Sequence, residues 1–155
     1  MKYLKYILIF IPLILGTVIA NFSNFKTDKE YNKLNKSKVM PPNYIFSIVW
    51  PILYLLIGIS YYYGINTNSY YNYIIPIIGL IINYSYTPIF LKLDNLILAL
   101  IIVLLTLVFA IITFIQFYYF NKIASYLLIP YILWLTFASY LSYDIYIINK
   151  KIVNY

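Results

Sequence analysis

Chemistry in this chain would have to be done with few tools: four carboxylates, eleven lysines, two tryptophans and a large stock of tyrosine. Cysteine and histidine are absent. Disulfides, thiol nucleophiles, zinc sites of the usual ligand types and imidazole acid–base chemistry are thereby excluded. Asp28 and Glu30 fall in a lysine-rich stretch, Asp94 at a short turn and Asp144 near the end of the last apolar run. None forms a spaced acid–base pair with another, and there is no Gly-rich phosphate loop and no metal-ligand cluster. Hydrolytic or metal-dependent catalysis is not expected. Asp144 either pairs with Lys150 or Lys151 at the headgroups or faces an internal cavity, and its place near the span end favours the first.

The aromatic and small polar residues carry more pattern. Phe46, Trp50 and Tyr54 recur at i, i+4, i+8, which stacks them on one face of a helix. Asn83, Tyr86, Thr87 and Phe90 share a face in the same way, as do Trp134, Ala138 and Ser142. Two readings stay open. The stripes pack helices, as in a small structural or regulatory membrane subunit with no ligand. Or they wall a flat pocket, in which ring faces stack on a planar apolar guest while indole and phenol groups donate hydrogen bonds.

Composition determines what must position these residues. The chain is 64% hydrophobic and 10% charged, whereas a soluble domain carries roughly a quarter charged residues. The bilayer is the solvent this composition fits. Five stretches are long enough to cross it: 3–22, 44–64, 70–91, 96–120 and 123–148. Because the runs are continuous rather than alternating, helices are expected and a β-barrel is not. The expected fold is all-α, a single-domain bundle of five transmembrane helices. Pro12, Pro51, Pro76 and Pro130 are read as kinks or first-turn positions, which bilayer bundles tolerate. The first span also has a basic start, an apolar centre and small residues near its end, features of a secretory signal. Kept in place, it is the first of the five helices.

Residues 24–40 form the one long connection and hold five lysines. That loop, Lys92, Lys150 and Lys151 place eight lysines on one side, against Lys2, Lys5 and Lys122 on the other. The positive-inside rule then puts the long loop and the C-terminus in the cytoplasm. Basic residues divided between two membrane faces do not make a nucleic-acid site.

The stretch PPNYIFSIVWPILYLLIG resembles the second-helix signature of the TspO/translocator protein family, the tryptophan-rich sensory or peripheral benzodiazepine receptor proteins. Pro41, Pro42, Phe46, Val49, Trp50, Leu53, Tyr54 and Gly58 match it. Upstream, Tyr31, Leu34 and Lys36 are similar to the family's loop motif. Asn83, Pro88 and Phe90 fit its third helix, and Pro130, Tyr131, Trp134, Ala138 and Leu141 its last. The blocks run in order over nearly the whole chain. Family tryptophans are replaced by Val39, Tyr44, Tyr86 and Tyr146. Ser142 replaces an asparagine, Gly79 a glutamine and Ile102 an aspartate. These changes are expected to thin the pocket's hydrogen bonding.

The resemblance implies a five-helix bundle with a cavity opening towards the long loop, which acts as a lid. It implies tetrapyrrole binding, of protoporphyrin IX type, with sterol as a further ligand in animal members. No cofactor is required. Its implied ligand-binding set is Tyr31, Pro41, Pro42, Phe46, Trp50, Tyr54, Asn83, Tyr86, Phe90, Trp134, Ala138 and Ser142. Pro41 and Pro42 would start the second helix in its first turn, and Trp50 would lie about two turns inside, with Pro51 easing a bend. Some bacterial members degrade porphyrin under light. By resemblance, Trp50 and Trp134 would be the catalytic residues if that occurs, through reactive oxygen or an indole-centred radical. Without histidine, a metal-free or weakly ligated porphyrin is expected. The weak cholesterol pattern is matched by Leu141, Tyr146 and Lys150, but among 21 tyrosines such matches arise by chance. A homodimer is also implied, with Gly79 the one small-residue contact in the middle of the third helix.

Overall fold

The computed structural model describes residues 4–24, 35, 37–65, 71–92 and 95–153. The chain runs through α1 (Leu4–Asn24), α2 (Asn43–Gly64), α3 (Tyr71–Lys92), α4 (Leu96–Phe120), the short α5 (Lys122–Tyr126) and α6 (Ile129–Val153). There is no strand among the described residues. Three helices and the final span from Lys122 to Lys150 are long and apolar enough to cross a bilayer, and α1 contributes a shorter apolar stretch, Ile9–Phe22. The outward faces are built of Ile, Leu and Val, with Ile97, Ile101, Leu104 and Val108 of α4 all exposed. Such faces suit hydrocarbon and would be costly in water. Within hydrocarbon a helix satisfies its own backbone, which is why continuous apolar runs become helices here.

The observed ends of α1 to α4 fall within two residues of the expected spans. The fifth span differs, because it breaks at Leu127–Leu128. Pro130 has no N–H to give the carbonyl four residues earlier, so an unbroken helix would strand that group. The chain turns instead. The Leu128 amide donates to the Ser125 carbonyl at 2.9 Å, and regular pairing resumes with the Ile132 amide on the Leu128 carbonyl at 3.0 Å. α5 is held in place by its own side chains and its neighbours. Asn121 Oδ1 accepts from the amides of Ile123 and Ala124 at 3.0 and 3.3 Å. The Ser60 hydroxyl donates to the Ala124 carbonyl at 2.6 Å.

Pro12, Pro51, Pro76 and Pro88 lie inside helices. Tyrosines tie neighbouring helices at two of them: the Tyr84 hydroxyl donates to the Pro12 carbonyl at 2.7 Å and the Tyr61 hydroxyl to the Pro76 carbonyl at 2.9 Å. Pro42 is the N-cap of α2, in an extended conformation with φ −55° and ψ 147°, so the Pro41-Pro42 pair precedes the first turn instead of occupying it.

Packing runs in a ring: α1 lies on α2 and α3, α3 on α4, and α4 on α5 and α6, while α5 closes back on α2. α2 and α6 meet only over a short stretch. Gly58 lets α1 approach α2 closely, since a Cβ there would collide with the backbone carbonyl of Ile9. Gly79 is buried against Phe109 of α4, so its small surface is used inside the bundle. The filled core gathers Ile57, Phe117, Leu128 and Leu135 in the half of the bundle away from the long loop.

Candidate functional site

The other half is hollow. A cavity of about 690 Å³ lies between α1, α2, α3 and α6, inside the 300–1,000 Å³ range of small-molecule sites. α4 lines none of it and acts as a strut behind α3 and α6. The lining comes from the last three turns of α1, the first three of α2, the last three of α3 and the middle of α6. Those segments all lie at the end of the bundle that carries the long connection.

The stripe at i, i+4, i+8 on α2 faces the cavity as its spacing requires: Phe46, Trp50 and Tyr54 all line it. α3 adds Asn83, Tyr86, Thr87 and Phe90, and α6 adds Trp134, Ala138 and Ser142. Trp50 and Trp134, from separate helices, therefore border one space. Pro41 and Pro42 do not line it, although their neighbours Met40 and Asn43 do. The prolines set where α2 begins, and the helix then turns the next residues inward. Tyr31 lies outside the described residues, as do residues 25–34 and 36 of the loop expected to act as a lid. Asp144 is half-buried and is not among the lining residues.

The rings that line the cavity fall into three groups. Trp50 packs on Tyr54 with centroids 5.3 Å apart, and Tyr54 on Tyr84 at 5.6 Å. Phe46 meets Trp134 edge-on at 5.6 Å and 70°. Tyr86 stacks on Phe90 at 5.6 Å, nearly parallel at 8°. Hydrogen bonds stiffen the floor and one side. The Tyr54 hydroxyl donates to Asn83 Oδ1 at 2.9 Å, joining α2 to α3. The hydroxyls of Tyr86 and Ser142 share a 2.8 Å bond that joins α3 to α6. Two positions that differ from the family pattern thus satisfy each other. Each such bond contributes about 0.5–1.5 kcal/mol net.

Two electrostatic features follow. No lining residue among those described carries a charge, so a ligand's ionised groups would be poorly solvated deep inside. And Trp134 Nε1 is buried with no hydrogen-bond partner among the described residues. A stranded donor of this kind costs about 1–3 kcal/mol.

Sequence reasoning missed the contribution of α1. Gly16 and Ala20 line the cavity, as do Thr17 and Asn21. The signal was present as two small or polar pairs at i, i+4 in an otherwise Ile- and Leu-rich helix. Ser47, Pro51 and Tyr84 were also missed. Ser47 and Pro51 follow Asn43, which lines the cavity too, at i+4 and i+8 beside the aromatic stripe.

Comparison with known proteins places this architecture. Residues 8–147 match the model of the TspO/MBR family. The chain is similar to the tryptophan-rich protein TspO of Archaeoglobus fulgidus, with 31% identity over 143 residues, 88% of this chain and 91% of that one. Its similarity to the tryptophan-rich protein TspO of Chlorobaculum tepidum is 28% over 142 residues, 88% and 90% of the two chains. A tryptophan-rich sensory protein of Cereibacter sphaeroides is 28% identical over 120 residues, 77% and 76% of the two chains. With its bundle of long apolar helices and matching motifs, the chain is a multi-pass integral membrane protein that belongs to the TspO/MBR family.

Proposed function

We propose that this protein binds a planar tetrapyrrole of protoporphyrin type in the cavity, for sensing, transport or light-dependent breakdown. The observation that carries the reading is that the chain's two indoles, on α2 and α6, border one 690 Å³ space. A bundle whose aromatic stripes served packing alone would fill that volume, because interiors are close-packed. The macrocycle would stack on the aromatic rings that line the cavity. Since the described lining is uncharged, the carboxylates would stay at the open end near Asn21 and Asn43, where water solvates them. The lysine distribution supports a cytoplasmic side for that end and the C-terminus. The "sensory" in the name of the Cereibacter sphaeroides relative agrees with a signalling use of such a site.

Titration of protoporphyrin IX into the protein in lipid nanodiscs, followed by the porphyrin's main absorption band, tests the reading. Saturable one-to-one binding is expected. A linear response matching empty nanodiscs would mean simple lipid partitioning and would overturn it. Illumination of the saturated complex separates breakdown from the other two uses, since only breakdown bleaches the porphyrin in a protein-dependent way.

A further inference from the structure

Resting on the reading of the cavity as a porphyrin-type site, we infer that its ligand is taken up from the bilayer, sideways through the seam between α2 and α6, with Trp134 as the moving panel. A second hollow, an outer groove of about 470 Å³, lies along that seam. Its α2 wall includes Val49, Ile52 and Leu56, and its α6 wall Leu133, Trp134 and Phe137. Both walls follow i, i+3, i+4, i+7 spacing, so each is a single helix face. Two such faces normally interdigitate at an axis separation of about 8–10 Å. Here they stand apart, and α2 and α6 touch only over a short stretch while each is well packed on its other neighbours. Among the described residues Trp134 alone lines both hollows. The groove is outward-facing, with Leu133 66% and Ile52 54% exposed, and its lining holds no charged side chain. Its fitting occupant is an uncharged, flat, membrane-dissolved molecule entering edge first.

Trp134 is suited to move. Its N–H has no partner to lose, so rotating the indole breaks no hydrogen bond. It is held by ring contacts to Phe46 at 5.6 Å and Phe137 at 5.7 Å, and neither neighbour's ring can hydrogen-bond it in place. The α5–α6 turn at Leu127–Leu128 sits just before this stretch, so the lower part of α6 is not continuous with a rigid helix beneath it.

Stopped-flow transfer of protoporphyrin IX dimethyl ester from donor vesicles to the protein in vesicles tests the route. Ile52→Trp and Leu133→Trp, singly and together, add bulk to the groove at exposed positions that do not line the cavity. Association and dissociation rates are expected to fall together by about tenfold, leaving Kd unchanged. Ile112→Trp, on the exposed face of α4, is the control and should change neither rate. Unchanged rates in the seam variants, or equal slowing by the control, would overturn the route while leaving the cavity reading intact. A failure of the cavity reading looks different: the unsubstituted protein would show no saturable binding at all.

Discussion

Replacing both Trp50 and Trp134 with phenylalanine is expected to weaken protoporphyrin IX binding by roughly 5- to 150-fold. Each indole offers a larger stacking face than a phenyl ring, and aromatic pairs are worth about 0.5–1.5 kcal/mol beyond their area. For two indoles the sum is about 1–3 kcal/mol, at 1.4 kcal/mol per factor of ten. Either single variant should lose about twofold to tenfold by the same arithmetic. With no tryptophan left in the double variant, porphyrin absorbance must carry the readout. Both side chains are half-buried at the cavity wall, and phenylalanine fits within the same outline. The helical circular-dichroism signal should therefore be unchanged, and an unchanged Kd would remove the indoles from the site.

Gly58→Val is expected to have the largest effect on the fold. At this position α1 and α2 meet backbone to backbone, and any Cβ points into the carbonyl of Ile9. A side chain at that point cannot be accommodated by a rotamer change, so the helices must separate along their contact. Overpacking usually costs about 1–3 kcal/mol, and a backbone obstacle puts this case at about 3 kcal/mol or above. For a chain of this length the thermal midpoint should then drop by roughly 6–12 °C, read by circular dichroism in detergent. Gly79→Ala is the contrast, because its added methyl meets the Phe109 side chain, with the nearest atom at 3.0 Å. That atom is the Phe109 Cβ, and a shift of a few tenths of an ångström between α3 and α4 clears it, while alanine gains about 1 kcal/mol of helix propensity over glycine. A small effect is expected there. Equal losses at both glycines would contradict the close α1–α2 approach.

Gly58 also marks how far the sequence could be read. It stood out as a motif residue, but only the coordinates reveal that Ile9 of α1 is what it accommodates. The spans were legible because hydrocarbon leaves a helix as the only economical backbone state, and α4 runs from Leu96 to Phe120 as its apolar run does. The break at Leu127–Leu128 was not, although Pro130 was in view. A two-residue turn barely changes an apolar pattern, and a proline in a bilayer helix can equally be a first-turn residue or a kink. On α2 the spacing of Phe46, Trp50 and Tyr54 was enough to aim them at one space. Pro41 and Pro42 lie in the same motif yet serve the start of the helix, because resemblance does not separate residues that shape a site from residues that line it. Tyr86 and Ser142 carry the opposite lesson. Taken one at a time each substitution suggested lost hydrogen bonding, yet the two meet at 2.8 Å. Pairing across helices is invisible until the helices are placed.

The presence of only two tryptophans makes a decisive measurement possible. A ¹H–¹⁵N spectrum of the protein in nanodiscs contains two indole N–H signals, each assigned by its own Trp→Phe variant. If one ligand lies between α2 and α6, protoporphyrin IX shifts both signals with the same midpoint and a stoichiometry of one. A titration that saturates while one indole, or neither, responds would place the ligand elsewhere and contradict the two-indole cavity.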